Sequence, residues 1–234
     1  QPGGASPEAE RVVQAARALL DAVGGPPGPV ELMTGVSRRD RLLLAGDDPE
    51  RENWTYWPTE RAGLPLELMT AQQRLLAHDL LRTVLSSQGY GKVTNIMQLE
   101  QFLKVTDEIG FPRDVGNYSL VFFGEPSLEE PWGWRFEGHH VSLNISVTPD
   151  AITVTPTFLG ANPGEIRTGS LAGLRVLAAE EDLGRELVMS LTAEQRARAV
   201  ISERAPGDIL TGQFGKPRDD WHAWRETLQA EGIP

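Results

Sequence analysis

Two periodicities divide the chain. Apolar residues recur at helical spacing toward both ends and at every second position in the middle. Ser6-Pro7-Glu8 reads as a helix start, with a capping hydroxyl, a proline whose φ is already helical and an acid matched to the helix dipole. Val12, Ala16, Leu19, Leu20 and Val23 then share one face until Gly24-Gly25-Pro26-Pro27 stops it. Thr70-Ala71-Gln72-Gln73 predicts a second start through a capping box, in which Thr70 and Gln73 satisfy each other's backbone N–H. Leu76, Leu80, Leu81 and Val84 carry its stripe as far as Ser87-Gln88-Gly89. The box recurs at Thr192-Ala193-Glu194-Gln195, each copy is followed by an arginine (Arg74, Arg196), and Ser37 to Arg41 forms a looser third copy. Further helices are expected around 93–103, 177–189 and 219–230.

Between 118 and 158 the period becomes two, in residues of strand composition. Trp132, Trp134 and Phe136 alternate with Gly133, Arg135 and Glu137; Val141, Leu143, Ile145 and Val147 alternate with His140, Ser142, Asn144 and Ser146. A Gly138-His139 turn of type II′ would set Glu137 opposite His140, Phe136 opposite Val141 and Trp134 opposite Leu143, like facing like throughout. Thr148-Pro149-Asp150-Ala151 reads as a second turn, and Ile152, Val154 and Pro156 continue the apolar face. The fold class is α+β: an antiparallel sheet of three to four strands over 118–158, packed by short helices on its apolar face. One domain is expected over 1–234, helical in 1–110 and again in 177–234. Its core should include Trp132, Trp134, Phe136, Leu143, Ile145 and Val154.

Composition narrows the chemistry. Twenty-two Lys+Arg against 33 Asp+Glu give a net charge of −11, and the one basic cluster is Ser37-Arg38-Arg39-Asp40-Arg41, so nucleic-acid binding is not expected. No apolar run approaches the roughly 20 residues of a membrane helix, so no membrane insertion is expected. With no cysteine there is no disulfide, thiol nucleophile or Cys-based metal site. The chain begins Gln1-Pro2-Gly3-Gly4, which reads either as a mature form after removal of an export signal or as a trimmed chain. A periplasmic or extracellular protein is expected, with a cytoplasmic one as the alternative.

The polar face of the sheet would carry Arg135, Glu137, His140, Ser142, Asn144, Thr153 and Thr155. Antiparallel sheets commonly leave one face in water, but such faces favour Lys and Glu. Hydroxyls, an amide, an imidazole and a guanidinium suit either a ligand floor or a face covered by another part of the chain. Within it, Glu137, His139 and His140 are candidate ligands for a divalent metal, zinc, copper or iron. Alternation puts His140 rather than His139 on that face, so His140 and Glu137 are the candidate catalytic residues. Arg135, Ser142, Asn144, Thr153 and Thr155 would bind the ligand. His78 reads as a core-edge or exposed residue, and His222 sits between tryptophans on a docking helix. The loop from Asp47 to Pro58 mixes carboxylates with Trp54, Tyr56 and Trp57; it suits sugar stacking or cation binding, or an ordered loop whose aromatics cap the core.

Asp47 to Pro58, the block FFGEPSLEEPWGWRFEGHHVSLN (122–144), TPTFLGANPGEIR (155–167) and RAPGDIL (204–210) resemble a bacterial family catalogued as a domain of unknown function, number 3500. The resemblance spans most of the chain, and PWGWRFEGHHVSLN is specific. It implies a shared fold, frequent export, and a further segment with a paired-histidine NHIHS-type sequence that would complete a site with His139 and His140. The function expected is a small-ligand-binding or metal-assisted hydrolytic protein of the bacterial envelope, acting on a small polar or anionic molecule. The alternative is a noncatalytic module that binds a partner protein or glycan.

Overall fold

The computed structural model describes residues 6–106 and 110–204. They fall in two compact units, Gln1–Pro163 and Gly164–Pro234. The helix expected over 219–230, with His222, lies outside the described residues.

In the first unit, helix α1 (Pro7–Val23) is capped by Ser6 and buries Val12, Ala16, Leu19, Leu20 and Val23 as its spacing requires. It packs along α4 (Ala71–Val84), whose capping box of Thr70 and Gln73 forms as read. Gln73 has a second role, donating Nε2–H to the Ala22 carbonyl at 2.9 Å at the end of α1. Between them lie two short helices, α2 (Pro29–Thr34) and α3 (Arg38–Leu42), the latter started by a full Ser37/Asp40 capping box. Helix α5 (Ser87–Thr106) runs through the Gly89 expected to be a stop and buries Val93, Ile96, Met97, Leu99, Glu100 and Leu103.

The sheet is larger than expected and mixed. It has six strands: β1 (Leu43–Leu44), β2 (Leu64–Pro65), β3 (Ser119–Phe123), β4 (Trp132–Gly138), β5 (Val141–Val147) and β6 (Ile152–Leu159). The order is β1-β3-β4-β5-β6, with β2 also pairing β3; β1 runs parallel to β3 and the other pairs are antiparallel. The two added strands have two residues each, too short for alternation to show in sequence.

The faces are as the alternation requires, but the turn is displaced by one residue. Gly138 pairs with Val141, Phe136 with Leu143 and Trp134 with Ile145, so the two-residue turn is His139-His140. Each partner moves by two positions, which preserves the faces while replacing the expected Glu137–His140 pair with Glu137–Ser142. The positive φ falls on the second turn residue, His140 at 60°, whereas a type II′ turn needs it on the first. Gly138 is required for space: a Cβ there would lie 2.1 Å from the Tyr118 ring, which stacks on Phe136.

Trp132, Trp134, Phe136, Leu143 and Ile145 are buried as expected, but Val154 is half-exposed because β6 is the outer strand. The Thr148–Ala151 turn closes with Thr148 N–H donating to the Ala151 carbonyl at 2.9 Å. Beyond it, β6 carries a bulge opposite Leu143–Ile145, so that Val154 faces Ile145 but Phe158 faces Ser142. The extra residue moves Phe158 to the polar side of the sheet.

The second unit contains α6 (Ala178–Ser190) and α7 (Ala193–Ala199), the latter started by the Thr192/Gln195 box. In both boxes on α4 and α7 the arginine that follows reaches back to a carbonyl eight residues earlier, Arg74 to Leu66 at 3.3 Å and Arg196 to Val188 at 3.0 Å.

Adding one methyl should have opposite effects at two glycines. Gly138→Ala should destabilise by about 1–3 kcal/mol or more through the Tyr118 clash, whereas Gly91→Ala, in open space on α5, should stabilise by about 0.5–1 kcal/mol. Trp134→Ala should cost about 3–5 kcal/mol. Urea titration of the three variants checks these signs and sizes.

Candidate functional site

The polar sheet face is a covered face. Asp48 caps a 3-10 turn (Pro49–Glu52) by accepting the Glu50 N–H at 2.8 Å, and the turn presents Glu50 and Arg51 to the sheet. Arg135 NH1 donates to the Glu50 carbonyl at 2.8 Å, and its NH2 lies 2.6 Å from Glu50 Oε1. Arg51 NH2 donates to Ser146 Oγ at 2.8 Å, and Gly133 leaves room for that guanidinium. Both arginines lie over the Phe123 ring. Glu137 accepts the Thr55 N–H and the Ser142 hydroxyl, each at 3.0 Å, and meets Arg61 Nε at 3.2 Å and Arg135 Nε at 3.3 Å. Burial, the largest influence, leaves its carboxyl above the usual carboxylate range, although the two guanidiniums and these hydrogen bonds pull it down.

The residues chosen from sequence therefore separate. Arg135, Glu137 and Ser142 are joined, but to one another and to the covering loop. Asn144 commits its amide to Ser142 Oγ and the Pro156 carbonyl. Thr153 and Thr155 are exposed on β6, outside the cluster. The expected metal trio is not assembled: Glu137 is engaged by two cations, and among the described residues no three His, Asp or Glu side chains stand together as an ion would need. In the aromatic loop, Trp54 is buried and Tyr56 stacks on Phe158 at 4.4 Å, so these aromatics cap the sheet; Trp57 is exposed.

The paired histidines face different surroundings. His140 donates its backbone N–H to the Tyr56 carbonyl at 2.9 Å, and its own carbonyl accepts from Gly160 N–H at 2.8 Å, which holds its left-handed conformation. Its ring lies edge-on to Tyr56 and Phe158, and Nδ1 is buried without a hydrogen-bond partner among the described residues. Burial, then His139 and Arg113, push its pKa down to about 4.

His139 turns toward α5. Its Nδ1 lies 2.5 Å from Glu100 Oε1, Arg113 NH1 lies 3.0 Å from the same nitrogen, and the Tyr118 hydroxyl donates to the His139 carbonyl at 2.6 Å. When Glu100 accepts from Nδ1–H, Nε2 is the acceptor of the ring, and Arg113 NH1 lies 3.4 Å from it. Both residues line a cleft of about 430 Å³ whose other walls include Arg41, Arg61, Asp114 and Tyr118. A volume of this size suits a small molecule. Sequence reasoning missed Glu100, Arg113 and Tyr118. Glu100 carried a signal: it sits in the stripe 93, 96/97, 100, 103, where an apolar residue belongs.

A family model described as a protein of unknown function, DUF3500, matches residues 7–234, and the chain belongs to that family. No curated protein and no solved structure matches it. Among the described residues no helix is long and apolar enough to cross a membrane.

The depressed His140 pKa gives a pH prediction. Between pH 6.5 and 4 the unfolded chain binds a proton at His140 that the folded chain refuses, so the stabilisation, present above 6.5, is lost as pH falls toward 4. The loss should be on the order of 3 kcal/mol, because each pH unit between the unfolded and folded titrations is worth about 1.4 kcal/mol. His140→Asn keeps the left-handed backbone and removes the titration. Urea midpoints over this range should fall more steeply for the parent than for the variant.

Proposed function

We propose that this member of the DUF3500 family is a small-ligand-binding protein of the bacterial envelope with hydrolytic chemistry at the His139–Glu100 pair. The observation that carries the reading is a buried, carboxylate-oriented imidazole in the wall of a molecule-sized cleft. Glu100 fixes the tautomer and stabilises the imidazolium that forms when Nε2 accepts a proton. In the hydrolytic version, water adds to a bound ester or amide carbonyl, its proton passes to His139, and His139 returns that proton to the departing alcohol or amine. The guanidinium of Arg61, held by Glu137 and by the Trp57 carbonyl, lies on the same cleft and faces the polar groups of the ligand. The reaction uses the chain's own acid and base, since Glu137, the third donor of the expected metal set, is committed to arginines. The envelope location is the one the family resemblance implies.

The test is turnover of a panel of small carboxylic esters and amides by the full chain. His139→Ala should lower kcat by about 10²–10⁴-fold, the usual worth of a general base, while His140→Asn leaves it within about twofold. Glu100→Gln should lower the rate and shift the acidic limb of the pH–rate profile, a change that loss of folding alone does not produce. Unchanged turnover in His139→Ala would sink the reading.

A further inference from the structure

The cluster Ser37-Arg38-Arg39-Asp40-Arg41 is the only concentration of positive charge in a chain of net charge −11, and the structure uses its three arginines differently. Arg38 pairs with Glu31 at 3.2 Å and donates Nε–H to the Leu68 carbonyl at 3.1 Å. Arg39 pairs with Glu125 at 2.8 Å on the surface. Arg41 has neither kind of partner. Its Nε is buried without a hydrogen bond, and its guanidinium forms no ion pair among the described residues. Glu31, the carboxylate whose field it shares, already receives Arg38 and the Gly28 N–H.

The repeated helix starts sharpen the contrast. Arg41 stands four residues after the capping Ser37, as Arg74 stands after Thr70 and Arg196 after Thr192. Those two are satisfied by carbonyls eight residues upstream; Arg41 departs from the pattern and lines the cleft that holds His139 and Glu100. A guanidinium left without hydrogen bond or ion pair is costly, and such an orphan in a cavity wall is the place to seek a ligand.

We infer that Arg41 is the anion-binding residue of this cleft and that its ligand is a small monocarboxylate, received by the terminal nitrogens of the guanidinium. This rests on the reading of the cleft as the functional site and adds the class of molecule it takes. Guanidinium and carboxylate match as two parallel N–H···O bonds. Phosphate monoesters share the recognition, but they carry nearly two charges into a cleft whose rim holds Glu60, Glu67 and Asp114 on a protein already at −11. A single negative charge is the better fit. A carboxylate is also the acid product of the ester or amide cleavage argued for His139.

The test follows the Arg41 side chain itself. In the full chain, ¹H–¹⁵N spectra of arginine Nε groups, with the Arg41 resonance assigned by its loss in Arg41→Lys, are titrated with benzoate, benzamide and phenyl phosphate at constant ionic strength. Benzoate should shift the resonance saturably, benzamide should not, and phenyl phosphate should bind at least fivefold more weakly. Arg41→Met should weaken benzoate binding at least tenfold, and Arg39→Met should leave it unchanged. The inference is overturned if benzoate fails to move Arg41, if phenyl phosphate binds as tightly, or if Arg41→Met binds benzoate like the parent. Benzoate binding that survives Arg41→Met but is lost in His139→Ala would remove the inference and leave the cleft as the site. Binding that survives both would remove the cleft reading as well.

Discussion

One buried carboxylate organises the first unit. Glu137 leaves the sheet with two guanidiniums, a hydroxyl and a backbone N–H around it, and these come from three places: the neighbouring strand, its own strand and the loop that carries Thr55 and Arg61. Two arginines out of water need that negative charge, because an isolated buried ion costs several kcal/mol even after relaxation. The loop is therefore held to the sheet by the requirement that these charges meet. Its closure also sets Tyr56 against the hairpin turn, through the carbonyl that receives His140 N–H, and brings Arg61 to the wall of the cleft.

The hairpin gives its two histidines different surroundings. Tyr118 occupies the space that a side chain on Gly138 would fill, so the last residue of the strand has to be glycine and the turn begins one residue later. That single step decides which histidine does what. His139 keeps a position from which its ring reaches Glu100, while His140 takes the left-handed place and is enclosed by aromatics. Neighbours in sequence thus become a ring held by a carboxylate and a ring whose buried Nδ1 has no hydrogen-bond partner among the described residues.

What could be read in advance follows the range of the interactions. The capping boxes and the two faces of the sheet are local, and both were legible from Thr70, Thr192 and the run Trp132 to Val147. The turn was misplaced because a glycine wanted for space looks in sequence like a glycine wanted for φ. The covered face was one of several open readings, since nothing local to Glu50, Arg51 or Arg61 states that its partner lies 76 to 95 residues away. The cleft was hidden for the same reason, although Glu100 was marked as a carboxylate in an apolar stripe. Arg41 was visible only as charge; its lack of a partner exists only in three dimensions.

The outer strand has a consequence for how this molecule meets others of its kind. A free sheet edge offers a row of N–H and C=O groups on which another chain can add a strand. β6 itself is irregular, with a bulge in its pairing opposite Leu143–Ile145 and, in the same stretch, Pro156, which has no N–H to give. Exposed threonines flank this stretch instead of a flat apolar ribbon. Among the described residues, a strand interrupted in this way is a poor template for runaway growth of the sheet.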